Sequence, residues 1–214
     1  MRNFVYGAGG HGKVVRDTLR ALATEIGDED VAKGMPPLEF DCVYVDEAKE
    51  IEDIILPAEI PYGARVVMGI GDNLIREKCV EKLKNMNKKF IFPYIKHPQA
   101  YISRGARIKE GIVVFVNAAV QPGSKLGKFC IINTGATVDH DCILGNYVHI
   151  APGVSLCGNV TVGDYTLVGV GSSVIPNIKI GKNTIIGAGS VVVSDIPDGV
   201  VAYGNPCKII KEIE

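Results

Sequence analysis

The chain has 214 residues, 47% of them apolar, which at roughly 100–200 residues per domain suggests one large domain or two modest ones with a real core. Twenty-three Lys and Arg against 24 Asp and Glu leave a net charge of −1, which argues against phosphate-backbone binding as the main role. Apolar runs such as GIVVFVNAAV are too short to span a bilayer, and MRNFVYGAGG reaches glycines before a signal-peptide core could form, so a cytoplasmic protein is expected. The six cysteines form no CxxC pair and read as reduced, mostly buried thiols.

FVYG reads as a strand, followed by the loop GAGGHG and a helix-compatible KVVRDTLRALATEIG. DEDVAKGMPPLEF reads as a surface loop, DCVYV and RVVMGI as buried strands, and DNLIREKCVEKLKNMNKK as an amphipathic helix with a basic end. KFIFPYI is expected to form a last strand. This order predicts a small, Rossmann-like α/β half domain over residues 1–95.

From Ile102 onward every sixth residue is aliphatic, through Ile108, Val114, Val120 and so on to Val192 without a miss. The residue before the last of each hexad is usually small or β-branched, as at Ser124, Cys130, Cys142 and Thr166. A six-residue period implies a short strand and a turn, so that three hexads make a triangular coil with the aliphatic position pointing inward. Coils stacked by parallel pairing at about 4.8 Å predict a β-solenoid over residues 96–214. Glycines and asparagines such as Asn117, Asn159 and Asn177 suit corners that need positive φ. The tail SDIPDGVVAYGNPCKIIKEIE leaves the solenoid and is expected to end in a short helix.

Three phrases fall at strand ends of the α/β half: Gly9, Gly10 and His11; Asp46 with Glu47; and Gly71 to Asn73, ahead of Arg76. Ligands of open α/β sheets bind at that edge, and GAGGHG suits close backbone approach to a phosphate. Asp46 lies too far along to serve as the ribose-binding acid of a nicotinamide site, and the domain lacks a second mononucleotide half. A nucleotide-linked substrate is the better expectation, with a purely structural glycine turn and helix-capping roles for Asp72 and Asn73 as the plain alternatives. In the repeat, His140 is flanked by Asp139 and Asp141 and suits acid–base work. Only His140 and His149 fall in the repeat, His97 lying before its first full coil, which is too few for a three-histidine zinc site, so no metal is expected.

GAGGHGKVV, VDE, GIGDNLIR, HPQAYIS, NTGATVDHDC, GNYVHIAPG and GNPCKII occur in order, and across nearly its full length the chain resembles the bacterial sugar O- and N-acetyltransferases of the NeuD/PglD type. The resemblance implies a left-handed parallel β-helix of hexapeptide repeats, a homotrimer with active sites between subunits, and acetyl-CoA as co-substrate. It makes His140 the general base and Asp141, where the family commonly has Glu, the residue that raises its basicity. His149, Gly158, Val170 and Ala188 match acetyl-CoA contacts. Gly9, Gly10, His11, Asp46, Glu47 and Gly71 match positions that hold a nucleotide sugar. The implied reaction is N-acetylation of a UDP-linked 4-amino-4,6-dideoxy sugar in polysaccharide or glycan biosynthesis. O-acetylation of a sialic-acid-like sugar and a non-catalytic trimeric scaffold are the alternatives.

Overall fold

The computed structural model describes residues 2–32, 41–47 and 54–213, and contacts divide the chain between Pro98 and Gln99 into two compact units. Most of the loop expected over residues 28–40 lies outside the described residues, although helix extends through Ala32.

In the first unit, β1 (Asn3–Tyr6), β2 (Cys42–Val45), β3 (Ile54–Ile55) and β4 (Arg65–Met68) form one parallel sheet in the order β3-β2-β1-β4. Helix α1 (Gly10–Ala32) starts inside the glycine loop, three residues earlier than the sequence suggests. Its buried face carries Val15, Thr18 and Leu19, the i, i+3, i+4 spacing that turns one stripe to a core. Helix α2 (Asn73–Asn85) is capped by Asp72, whose side chain accepts from the Ile75 N–H at 2.8 Å, and ends with Lys82 and Lys84 in its last turn. KFIFPYI does not form the continuous strand expected of it. Ile91 makes a single bridge to Arg65, and only Ile95–Lys96 is extended further on. Pro93 lies between the two segments and supplies no N–H for a ladder.

The second unit is a parallel β-helix. Sixteen two-residue strands run from Tyr101–Ile102 to Val191–Val192, one per hexad, and each pairs with the strand eighteen residues away. Three sheets result, which we call by a member strand: the 137, 143 and 149 faces. The inward positions Val114, Ile132, Ile150, Val168 and Ile186 are fully buried in one column, and the other two faces repeat the arrangement.

Most corners have a residue at positive φ, repeated at eighteen-residue intervals. One column holds Asn117, Gly135, Gly153, Gly171 and Gly189, and another stacks the rings of Phe129, Tyr147 and Tyr165 at centroid distances of 5.2 and 5.5 Å. The third holds Gly123, Asp141, Asn159 and Asn177. Inside the corners, hydroxyls replace missing ladder partners. The Ser124, Thr166 and Ser172 side chains each accept from the N–H eighteen residues on and donate to the carbonyl fifteen residues on.

The tail is not helical. Val200–Tyr203 continues the 149 face, then Gly204 and the cis Asn205–Pro206 bond turn the chain into an antiparallel strand, Lys208–Glu212. The edge of the last coil offers unpaired backbone groups, and that edge overrides the helical propensity of KIIKEI.

Ile132, stacked between Val114 and Ile150, tests the inward column. Ile132→Ala should destabilise the solenoid by about 2–5 kcal/mol, read as a lower denaturant midpoint. A change below ~0.5 kcal/mol would show that the column does not carry the stability.

Candidate functional site

The sequence-selected residues fall into two groups, one in each unit. In the α/β unit, the chain leaves β1 for β2 and β3 on one side and returns to β4 on the other, so strand order reverses beside β1. The loops after β1 and β4 open at that point, where ligands of such sheets enter. Gly7, with φ +107°, Gly12 and Gly69 are packing glycines. A Cβ on Gly12 would strike the Gly7 carbonyl oxygen, and one on Gly69 would lie 2.8 Å from Gly12 Cα. Gly9 and Gly10 differ, because a Cβ on either meets nothing within 4 Å and both are exposed. They present open backbone at the start of α1, where N–H groups and the helix dipole favour an anion.

The neighbouring groups shape this loop. Asp46 accepts the Ala8 N–H at 3.0 Å and the Glu47 N–H at 2.7 Å, which fixes the glycine turn. Glu47 accepts from the buried Tyr6 hydroxyl at 2.9 Å and from Lys82 at 2.7 Å, and these bonds hold its carboxyl below the usual carboxylate range. The His11 ring lies against Gly71, about 3.8 Å from where a Cβ would stand. Arg76, buried in α2, donates to the carbonyls of Ile70 and Gly71 at 3.0 Å and to Asn73 Oδ1 at 2.7 Å, so it ties the loop after β4 to its own helix. Gly9, Gly10, His11, Asp46, Glu47 and Gly71 therefore all lie on the carboxyl edge of this sheet, although Asp46 also has a structural task.

In the solenoid, His140 and Asp141 occupy the corner between the 137 and 143 faces. Asp141 has φ +58°, a conformation that Asp tolerates better than most residues. This turns its carboxylate back on the preceding side chain, and His140 Nδ1 meets Asp141 Oδ2 at 2.9 Å. A carboxylate only accepts, so the proton sits on Nδ1 and the Nε2 lone pair faces outward. The hydrogen bond to Asp141, followed by the charge of Asp139, raises the His140 pKa above its ordinary 6.5. Both side chains are more than half exposed.

Two glycines make room for this pair. A Cβ on Gly158, eighteen residues above His140, would lie 2.5 Å from Nε2, and one on Gly123, eighteen below Asp141, would strike Asp141 Oδ1. Ser124 bridges the corner from within, donating to the Asp139 carbonyl at 2.7 Å and accepting from the Cys142 N–H at 3.2 Å. Neither Gly123 nor Ser124 stands out by residue type. The eighteen-residue column is the signal that finds them.

Cys142, next to the dyad in sequence, is fully buried, donates to the Cys157 carbonyl at 3.2 Å, and has its thiol pushed up to about 11 by burial. It is not a nucleophile facing the same space.

His149, Val170 and Ala188 lie elsewhere on the prism. His149 belongs to the 149 face, opposite the corner of His140, and pairs in register with Leu167. Val170 and Ala188 are eighteen residues apart in the column where the 149 face turns toward the 137 face. One chain thus gathers His140, Asp141 and Gly158 at one corner and His149, Val170 and Ala188 around another. Among the described residues, no cluster of three or more His, Cys, Asp or Glu could hold a metal ion, and no helix is long and apolar enough to cross a membrane.

Comparison with known proteins places this geometry. Residues 3–83 match the PglD N-terminal domain, and residues 159–194 match the bacterial transferase hexapeptide, six repeats. The acetyltransferase domain of PglB from Neisseria gonorrhoeae, solved also in complex with acetyl coenzyme A, is 33% identical with a TM-score of 0.85. That alignment covers 98% of this chain and 98% of the complexed one. PerB from Caulobacter crescentus, in complex with CoA and GDP-perosamine, is 36% identical over 99% of this chain and 98% of its own, with a TM-score of 0.84. WeeI from Acinetobacter baumannii is 26% identical over 98% of this chain and 100% of its own, with a TM-score of 0.79. A search of curated proteins found no match. On the strength of full-length matches above 30% identity and both domain signatures, this chain belongs to the hexapeptide-repeat sugar acetyltransferases of the PglD type.

Proposed function

We propose that the protein transfers the acetyl group of acetyl-CoA to the 4-amino group of a UDP-linked 4-amino-4,6-dideoxy sugar. The observation that carries this reading is the His140–Asp141 pair, a histidine with its Nδ1 proton fixed by a carboxylate and its Nε2 lone pair outward. A scaffold has no use for such a base on an exposed corner. The open backbone at Gly9 and Gly10 supports the nucleotide-linked acceptor, because a free sugar gives that loop no anion to hold. GDP-perosamine and CoA are bound together in PerB, which supports a nucleotide-sugar acceptor and leaves the base as the point to test.

In this mechanism the α/β unit holds the nucleotide and the solenoid holds the acyl donor. His140 Nε2 takes a proton as the amine attacks the thioester carbonyl, the C–S bond breaks, and CoA thiol leaves with a proton. General-base assistance of this kind is worth about 10²–10⁴-fold, and holding two substrates in place can contribute on the order of 7–11 kcal/mol. Asp141 keeps the imidazole in the productive tautomer and stabilises the imidazolium. The backbone N–H of Gly158 donates to the developing oxyanion.

Because His149, Val170 and Ala188 lie away from the His140 corner within one chain, a single copy does not complete the acyl-donor site. A homotrimer in which the 149 face of one prism lies beside the His140 corner of the next supplies the missing half. The protein acts in the cytoplasm, where acetyl-CoA and nucleotide sugars are available.

Three expected outcomes follow from this reading. Free thiol should appear from acetyl-CoA with the UDP-4-amino sugar, more slowly with its GDP counterpart, and not with sialic acid; turnover with sialic acid alone would move the activity to O-acetylation. His140→Ala should lower kcat by about 10²–10⁴-fold with little change in acetyl-CoA affinity, and activity within threefold of the parent would remove His140 as the base.

The pH profile gives the sign of the Asp141 effect. Protonated His140 is inactive, and its raised pKa places the acid limb of kcat/KM above 6.5. Asp141→Asn removes the first cause of that shift, so the limb should move toward lower pH while the maximal rate falls. An unmoved limb would separate Asp141 from the base.

A further inference from the structure

The solenoid has a second histidine whose hydrogen-bonding state the geometry decides. His149 Nε2 lies 3.1 Å from the side-chain nitrogen of Asn133, which ends the strand one coil below. Which atom of an amide faces a histidine is often ambiguous, but here the backbone resolves it. The other terminal atom of Asn133 receives the Thr134 N–H at 2.8 Å. A backbone N–H only donates, so that atom is the carbonyl oxygen and the atom facing His149 is the NH₂. An NH₂ needs an acceptor, and Nε2 therefore presents its lone pair and the ring proton sits on Nδ1.

We propose that Asn133 is a positioning residue that locks His149 as the neutral Nδ1–H tautomer, so that His149 orients the acyl donor and takes no proton itself. This deepens the proposed function and rests on its reading of His149 as an acyl-donor contact. The contrast with His140 gives the lock its meaning. Both rings carry the proton on Nδ1, but the two partners are opposite in kind. Asp141 accepts from His140 and leaves Nε2 as a lone pair beside Gly158, whereas Asn133 donates into the Nε2 of His149 and occupies it. Of the two histidines, one has a partner that favours the charged ring and the other a partner that occupies its Nε2 lone pair. With its Nε2 engaged, His149 meets the acyl donor through its Nδ1 side or its carbon edge, and it does not compete with His140 for the proton of the attacking amine.

The coil itself does not ask for an asparagine at this position. The same column holds the buried Phe115 one coil below and the buried Ala151 one coil above. The Asn133 backbone N–H is already used, donating to the Ile150 carbonyl at 2.9 Å. Only the side chain distinguishes this coil, and its amide nitrogen is spent on His149.

Asn133→Asp is the discriminating variant because it is nearly isosteric. An aspartate keeps the oxygen that accepts from Thr134 but turns the NH₂ into a second acceptor, which requires a proton on His149 Nε2. Two-dimensional ¹⁵N–¹H spectra of histidine-labelled full-length protein, with His149 identified by its loss in His149→Gln, read the tautomer directly. The expected result is an Nδ1–H ring in the parent protein, an Nε2–H ring or imidazolium in Asn133→Asp, and acetyl-CoA affinity reduced about tenfold. The acid limb of kcat/KM, set by His140, should stay in place. Asn133→Ala removes the donor without adding charge and should also weaken acetyl-CoA binding.

An Nε2–H ring in the parent protein overturns the lock, whatever the activity. If the tautomer inverts in Asn133→Asp and acetyl-CoA affinity is unmoved, His149 does not meet the acyl donor, and the positioning role falls with that assignment. Thiol release under His140 control would then survive as a separate result, so failure here is distinguishable from failure of the proposed reaction.

Discussion

Each strand of the solenoid pairs with the strand eighteen residues away, and each inward aliphatic side chain sits over the one a coil below. That register is the constraint on which the rest of the second unit depends. A shift by one residue would turn Val114, Ile132 and Ile150 outward and put their polar neighbours inside. With the register fixed, every position of the coil becomes a column, and a residue's neighbours are those eighteen before and after it. The glycines of the candidate site follow from this. A Cβ on Gly158 would crowd the His140 ring beneath it, and one on Gly123 would crowd the Asp141 carboxylate above it. The corner also explains the carboxylate. Asp141 takes the left-handed conformation that Asn159 and Asn177 take in the same column, and that conformation directs a short side chain back to its neighbour. The missing methylene relative to Glu does not prevent contact, since the distance is 2.9 Å.

The α/β unit solves a different problem with the same residue type. There Gly7, Gly12 and Gly69 let a helix and two strand ends approach more closely than any side chain would allow. Gly9 and Gly10 are not needed for that approach, and their backbone is open to solvent. The loop is held from beside and behind by Asp46 on the Ala8 N–H and by Arg76 on the carbonyls of Ile70 and Gly71. These bonds hold the loop in one conformation, and a preformed loop loses less entropy on binding than a mobile one.

The histidines His140 and His149 have hydrogen-bond partners of opposite kind. Their partners stand on different elements, a corner aspartate for His140 and an asparagine at a strand end for His149. A carboxylate stabilises the charged ring, whereas an amide NH₂ at Nε2 opposes protonation there. The corner also buries its cysteine, since the residue after Asp141 faces the interior, where burial raises the Cys142 thiol to about 11.

The six-residue period, read as a sequence, determined the parallel solenoid, its inward column and its corners, because a repeat of short strands can bury its aliphatic side only by stacking on itself. The glycine loop, the strand-end acids and the His140–Asp141 pair were legible for a related reason: each is local, set by residues within a few positions of one another. The tail and KFIFPYI were misread because their conformation is set by a distant edge and by Pro93, not by propensity. Only the tertiary structure decided which glycines are packing and which are open, that Gly123 and Ser124 support the dyad, and that Asn133 faces His149. The solenoid contacts among these join residues fifteen to eighteen positions apart through hydrogen-bond directions and Cβ clearances, and residue spacing alone carries neither. The same coil geometry sets His149 on the face opposite the His140 corner, a separation that linear proximity in the chain conceals.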